Sequence, residues 1–360
     1  MAKITIIGSG VMGTSIAVPA LDNGHQVTLV GSPLDDAVIE TMRRGDPHPK
    51  LDRPLAGEVT YRRRDELTAR EIEASDVVLL GVSSAGISWI LDYLLGFGTP
   101  MSRLMMITKG LDVTDDGGVR TLPPRIIETL SPLGPPPAII GVGGPCIARE
   151  LSNRAPTAVV FGHTDRDAAV FCQKVFATDY YHIRPSADLT GVEANAPLKN
   201  FMAIGVAATW SRFPDPVKEN TRQMNPAAAV FEQAVHELAL LTQWLGGNPM
   251  TALRLAGAGD LFVTVNAGRN SRLGLRLGAG DSVNEALAGP LEGETVEGVD
   301  TGRALGPGLY QAWQKDPVLA AEMPLTRALL NAILHDQPFS YDMGAYWHRD
   351  SGAWRRLGGD

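Results

Sequence analysis

The first half of the chain alternates short apolar, β-branched runs with segments of helical period. Runs at 4–7, 26–30, 77–82, 104–107, 138–142 and 158–161 are almost continuously hydrophobic, as strands buried on both faces are. Such alternation predicts a parallel sheet with helices on both sides, a doubly wound, Rossmann-type α/β domain over 1–185. Beyond Pro185 these runs give way to alanine- and leucine-rich segments of helical period, among them 226–245 and 320–334. They predict a second, mostly α-helical domain over 186–360. Glycine and proline clusters at 134–137, 143–145 and 257–259 mark loops. The last segment, 338–360, mixes Tyr341, Tyr346, Trp347 and Trp354 with charges and reads as a loosely attached tail.

Composition narrows the picture. A chain of 360 residues exceeds one ordinary core, which fits two domains. A formal net charge of -8 lacks the basic face that a phosphate backbone demands, so nucleic acid is not an expected partner. The two cysteines, Cys146 and Cys172, match neither zinc spacing nor a disulfide framework; no metal is expected, and a reducing cytoplasm fits. The chain opens as a strand without the regions of a secretory signal, and no apolar run is long enough to span a bilayer. A cytoplasmic protein without membrane insertion is therefore expected. The helical half and the aromatic tail make a homodimer the expected assembly.

Between the first strand and the following helix, expected near Thr14, lies Gly8-Ser9-Gly10-Val11-Met12-Gly13. In that setting Gly8 permits a tight turn, Gly10 lets the backbone approach a pyrophosphate, and Gly13 allows close helix packing, while the helix N-terminus favours an anion. This predicts a bound dinucleotide. An acidic residue at the end of the second strand would mark NAD, but the chain reads Val30-Gly31-Ser32-Pro33, with Asp35 and Asp36 slightly late. Ser32 tolerates either NAD or NADP.

Thr108-Lys109-Gly110 and Gly144-Pro145-Cys146-Ile147-Ala148 follow later strands, at the carboxyl edge where open α/β sheets bind ligands. Asp188 to Glu193, Leu198-Lys199-Asn200, Gly257-Ala258-Gly259-Asp260-Leu261 and Gly268-Arg269-Asn270-Ser271-Arg272 come next. Reducing a ketone by hydride leaves an alkoxide, which needs a proton donor, and a lysine desolvated beside another cation suits that task. Asp260 could orient the ammonium of Lys199, while Arg269 offers a planar fork for phosphate, with Asn270 adding a donor. His48, in a proline-bracketed loop, and His182 read as bland surface or loop residues rather than acid-base groups.

Taken in this order, the motifs resemble those of NAD(P)-dependent glycerol-3-phosphate dehydrogenases, from the glycine loop through Val296-Glu297-Gly298 and Glu322-Met323-Pro324. The resemblance implies interconversion of glycerol 3-phosphate and dihydroxyacetone phosphate with NAD or NADP as cofactor. It implies that Lys199 is the general acid and base, with Lys109 and Asp260 beside it in the catalytic set. Substrate contacts would come from Lys109, Gly144, Cys146, Lys199, Asp260, Thr264, Gly268, Arg269 and Asn270. Cofactor contacts would come from Gly8, Ser9, Gly10, Val11, Met12, Gly13, Ser32, Lys109, Ala148, Arg269 and Glu297.

The chain departs from the family pattern in places. Asn195-Ala196-Pro197 precedes Lys199 where two small residues are usual, and the proline is expected to reshape the start of the helix. Cys146 replaces a serine or threonine. Gln233-Ala234 stands where an arginine-glycine pair precedes the glutamate kept as Glu237; losing a guanidinium widens the expected substrate to a three- to five-carbon phosphorylated hydroxyketone or polyol. The loop over 211–224, with Phe213, Pro214, Asp215 and Pro216, looks expanded. Two other readings share the fold: an opine- or hydroxyacid-type dehydrogenase with Arg269 on a carboxylate, and a redox sensor that binds dinucleotide without turnover.

Overall fold

Buried β-branched runs pair laterally because each backbone donor and acceptor needs a partner once it leaves water. In the computed structural model, which describes residues 1–217 and 222–344, ten strands form. In chain order the first half runs β1 (Lys3–Ile7), α1 (Val11–Asp22), β2 (Gln26–Val30), α2 (Asp36–Arg43), β3 (Val59–Arg62), α3 (Ala69–Glu73), β4 (Val77–Leu80) and α4 (Ile87–Leu95). It continues with β5 (Arg103–Met106), β6 (Leu111–Val113), β7 (Val119–Thr121), α5 (Leu122–Leu130), β8 (Ala138–Gly143), α6 (Ala148–Ser152), β9 (Thr157–His163), α7 (Arg166–Phe176) and β10 (Tyr181–Ser186). By internal contacts the chain divides into two compact units: 1–110 with 122–193, and 111–121 with everything from 194 onward.

In the first unit eight strands lie in the order β10-β9-β8-β5-β4-β1-β2-β3. One face carries Ile4, Ile6, Val27 and Leu29 under Ile16 and Ile39. The other carries Ile7, Val78, Leu80 and Met106 under Ile90, Leu94 and Ile126. The sheet is not wholly parallel, since β9 runs antiparallel to β8; the short α6 turns the chain back without the long crossover that a parallel neighbour needs. The sequence pattern also missed β3 and β10. Both are edge strands with alternating or partial burial, so neither carries the continuous apolar run that betrays a central strand.

The next helix, α8 (Leu189–Arg212), starts on this sheet. Gly141 of β8 faces Gly162 of β9 across the antiparallel pair, and a Cβ on either would strike the helix. At Gly162 it would lie 2.9 Å from Val192 Cβ, and at Gly141 2.1 Å from Glu193 Oε1. This seating explains why the first unit ends at Glu193, past the close of β10 at Ser186, and not at the boundary read near Pro185. Glu193 is buried, and its Oε2 has no hydrogen-bond partner. Desolvation alone pushes its carboxyl up to about 8.

The second unit is helical. It adds α9 (Met224–Trp244), α10 (Pro249–Ala252), α11 (Asp260–Asn266), α12 (Arg269–Ala279), α13 (Val283–Ala288), α14 (Glu297–Lys315), α15 (Pro317–Ala321) and α16 (Pro324–His335). It also takes the β6–β7 hairpin, which leaves the sheet unit; Val119 fits where Gly308 of α14 has no Cβ, which would lie 2.9 Å away. Pro197 does not reshape the start of α8, because the helix begins at Leu189 and runs through the proline. The single helix expected over 320–334 is two, since Met323 departs from helical geometry and Pro324 opens α16. Tyr346, Trp347 and Trp354 lie outside the described residues. Among those described, no helix is long and apolar enough to cross a membrane.

The Gln233 position has a structural explanation. Gln233 is buried and donates to Glu237, whose two carboxylate oxygens accept the Leu325 and Thr326 N–H groups at 2.8 and 2.6 Å. Together they cap α16. With an amide in place of a cation beside it, burial pushes Glu237 up to about 7. Gln233 thus serves the core of the helical unit.

Glu193 and Glu237 both have folded-state values raised above an unfolded value near 4.5. The folded chain therefore binds more protons than the unfolded one between that value and about 7 to 8, and stability falls as pH rises through this window. Replacing Glu193 with Gln keeps the shape and removes the cleaner of the two terms. Thermal unfolding followed from pH 5 to 9 should show a Tm that declines in the wild type, and Glu193→Gln should flatten the upper part of that decline.

Candidate active site

At the carboxyl edge of the sheet, the backbone requires glycine at two of the three motif positions. Gly8 has φ +111°, and its Cβ would fall 2.6 Å from the Gly81 carbonyl; a Cβ on Gly13 would fall 2.0 Å from Gly8 O. Nothing lies within 4 Å of a Cβ on Gly10. Gly8 and Gly10 instead border a cavity of about 310 Å³, also lined by Ser32, Leu34, Val82 and Trp89. Helix α1 begins at Val11, earlier than the sequence suggested, and has no side-chain cap, which leaves first-turn N–H groups of Val11, Met12 and Gly13 suited to an anion. A glycine cradle, an uncapped helix start and apolar walls fit a dinucleotide.

Asp35 braces this loop. Its Oδ2 accepts the N–H groups of Ser9 at 3.1 Å and Ser32 at 2.9 Å, tying the glycine turn to the end of β2. Nearby, His48 is buried and its Nδ1 accepts the Lys50 N–H at 3.0 Å. Desolvation lowers its pKa, and it is a packed residue of the loop.

The remaining residues of the sheet unit follow the neighbouring strands β5 and β8. Thr108 is buried and donates to Val82 O at 2.9 Å, which fixes the start of the turn that carries the half-buried Lys109. Gly144 takes φ +120°, a conformation that glycine alone adopts freely. Cys146 packs against the sheet core, and Ala148 is the first residue of α6.

The helical unit carries its own set of candidate residues around α8. Lys199 is 5 % exposed and Asp260 3 %, and the lysine ammonium donates to Asp260 Oδ1. A π-helical turn, Leu255–Gly259, leads into Asp260, the kind of irregular turn that often marks functional sites. Thr264 turns its hydroxyl back onto Asp260 O at 2.7 Å. Gly268, at φ +102°, opens α12, so that Arg269 stands half-exposed with its guanidinium 3.7 Å from Glu297. Asn270 is buried and its side-chain oxygen accepts Gly298 N–H at 2.9 Å.

Several residues that position this set were not singled out in the sequence. Asn200 is buried and donates to Glu297 at 2.6 Å, so the residue after the lysine steers the glutamate that faces Arg269. Gly274 and Gly278 let α12 lie on α8; their Cβ atoms would come within 2.2 Å of Ile204 O and 2.0 Å of Ala208 O. Gly298 does the same for α14, with a Cβ 2.6 Å from Asn200 O. The four-residue spacing of Gly274 and Gly278 is the one signal that could have disclosed this contact.

Comparison with known proteins bears on what this arrangement is. The family model described as the NAD-dependent glycerol-3-phosphate dehydrogenase N-terminus matches residues 3–169, and the C-terminal model of the same family matches 188–341. An NADP(+)-dependent glycerol-3-phosphate dehydrogenase of Archaeoglobus fulgidus is 33 % identical over 79 % of this chain and 82 % of its own. A glycerol-3-phosphate dehydrogenase [NAD(P)+] of Alkalilimnicola ehrlichii is 32 % identical over 91 % and 96 %. In fold, glycerol-3-phosphate dehydrogenase from Coxiella burnetii matches with a TM-score of 0.75 over 97 % of this chain and 99 % of that one, at 23 % identity. The Plasmodium falciparum enzyme matches with 0.80 over 97 % and 96 %, at 17 %. With both halves matched in order, the chain belongs to the NAD-dependent glycerol-3-phosphate dehydrogenase family.

Proposed function

We propose that this protein interconverts glycerol 3-phosphate and dihydroxyacetone phosphate with NAD(H) or NADP(H), and that Lys199 moves the proton. The observation that carries the reading is the buried Lys199–Asp260 pair in the helical unit, which also carries Arg269 and Asn270 at the start of α12. The dinucleotide, held by the Gly8–Gly13 turn and the first turn of α1, supplies or accepts the hydride. The residues do the rest. In the reducing direction the ammonium of Lys199 gives its proton to the oxygen of the former ketone; in the oxidising direction its amine takes the hydroxyl proton.

Asp260 holds the ammonium in one place and compensates its charge in a site too dry for an isolated cation. Arg269 presents a fork that matches a phosphoryl group. Its present neighbour Glu297 sits at 3.7 Å with both side chains partly exposed, a weak pair that an incoming dianion can outcompete. Asn270, Gly144 and Lys109 are proposed to complete the contacts to substrate, and Ser32, Ala148 and Glu297 those to the cofactor. A carboxylate substrate or a sensor without turnover would have no use for a phosphate fork joined to a buried lysine acid.

Lys199→Ala should lower kcat with dihydroxyacetone phosphate by about 10² to 10⁴, with dinucleotide affinity kept, as read by steady-state kinetics and cofactor titration. Loss of cofactor binding in that variant, or unchanged turnover, would reject the assignment. Arg269→Lys keeps the charge and loses the fork, so KM for dihydroxyacetone phosphate should rise about tenfold or more, and inorganic phosphate should inhibit the wild type more than the variant. Asp35→Ala unties the glycine turn; the KM for dinucleotide should rise several-fold while kcat at saturating cofactor stays near the wild-type value.

A further inference from the structure

Inner strands of a doubly wound sheet are apolar on both faces, but β1 and β2, with the edge strand β3, are polar along half of one face. Alternation turns Ile4, Ile6, Val27 and Leu29 toward α1 and α2, and Lys3, Thr5, Gln26, Thr28 and Thr60 to the opposite side. The register sets Thr5 opposite Thr28, and Thr28 opposite Thr60. Three hydroxyls thus stand in a row at the interstrand spacing of about 4.8 Å. Helix α3 has only five residues and buries Ile72 against the apolar half of this side. Over the polar half lies a cavity of about 310 Å³, floored by the threonine row with Lys3 and Gln26 and walled by Arg70 and Ser75. It sits toward the N-terminal ends of the strands, away from the carboxyl edge that carries the glycine turn.

The acidic groups of this cavity are engaged within the protein. Glu58 accepts from Gln26, and Glu71 accepts from Thr68 and, at 3.1 Å, from Arg62. The Thr5 and Ser75 hydroxyls bond each other at 2.7 Å. Among the described residues, the side chains of Lys3, Arg70, Thr28 and Thr60 have no such partner. Two cations beside hydroxyls that can each donate and accept match a compact molecule with several hydroxyls and a phosphoryl group. We propose that this cavity is a second binding site, for a small phosphorylated polyol, separate from the glycine turn and from Lys199. The Thr28 and Thr60 hydroxyls take the hydroxyl end of the guest, and Arg70 with Lys3 takes its phosphoryl group.

Hydrogen–deuterium exchange of the full chain, titrated with glycerol 3-phosphate, tests this directly. Exchange over 26–30, 58–62 and 68–76 should slow, and Arg269→Ala, which weakens the site beside Lys199, should leave that protection in place. The triple variant Thr28→Val, Thr60→Val, Arg70→Gln preserves β-branched strand residues; it should weaken the protection about tenfold or more with kcat for dihydroxyacetone phosphate unchanged. Inorganic phosphate should bind this face more weakly than glycerol 3-phosphate, and glycerol more weakly still. No protection over 58–76 in the wild type would overturn the proposal. So would protection that survives in the triple variant, or equal affinity for inorganic phosphate, which would make it a plain anion patch.

Discussion

The close packing around α8 is the constraint on which the site depends. This helix runs 24 residues, and from Gly191 to Trp210 it is buried throughout, so it has no polar face to give to solvent. Its neighbours approach it where they have no side chain. Gly274 and Gly278 of α12 meet the backbone of α8 at Ile204 and Ala208, Gly298 of α14 meets it at Asn200, and Gly141 and Gly162 receive its first turns. Contacts at this range leave α8 little freedom to slide or rotate, because interiors packed to crystal-like density transmit small displacements. Lys199 inherits its position from that packing, and so do Asn270 and Glu297, which ride on the helices that touch it.

Buried and exposed charge play different parts on this scaffold. Lys199 and Asp260 are nearly dry and bond each other, and breaking a buried pair by removing one partner is costly. Arg269 and Glu297 stand at the rim, where water screens them and their mutual attraction is small. A ligand can therefore draw Arg269 away at little cost. Glu193 and Glu237 form a third kind: carboxyls buried without a cation, pushed up to about 8 and about 7 by desolvation, that fill space and cap a helix.

Much of the architecture was readable along the chain because its causes are local. The runs that became β1, β2, β4, β5, β8 and β9 are largely apolar because they are inner strands, and the positive φ of Gly8 and the contact of Gly13 with Gly8 are set within a few residues. The edge strands β3 and β10 escaped, since burial on one side leaves only a partial pattern. The loss of an arginine at Gln233 read as a change in substrate handling. Its partner Glu237 and the Leu325 and Thr326 N–H groups are far apart in sequence, and nothing local tied them together.

By itself, then, the sequence determined the sheet-then-helix organisation and the glycine turn between β1 and α1, and it offered Lys199, Asp260, Arg269 and Asn270 as candidates, because residue type and short-range spacing carry that information. Only the tertiary structure decided that Asn200 bonds Glu297, that α8 begins on the sheet, and that the 111–121 hairpin belongs with the helices. Those outcomes come from packing between segments remote in the chain, where a missing Cβ or a buried acceptor becomes visible once the segments are brought into contact.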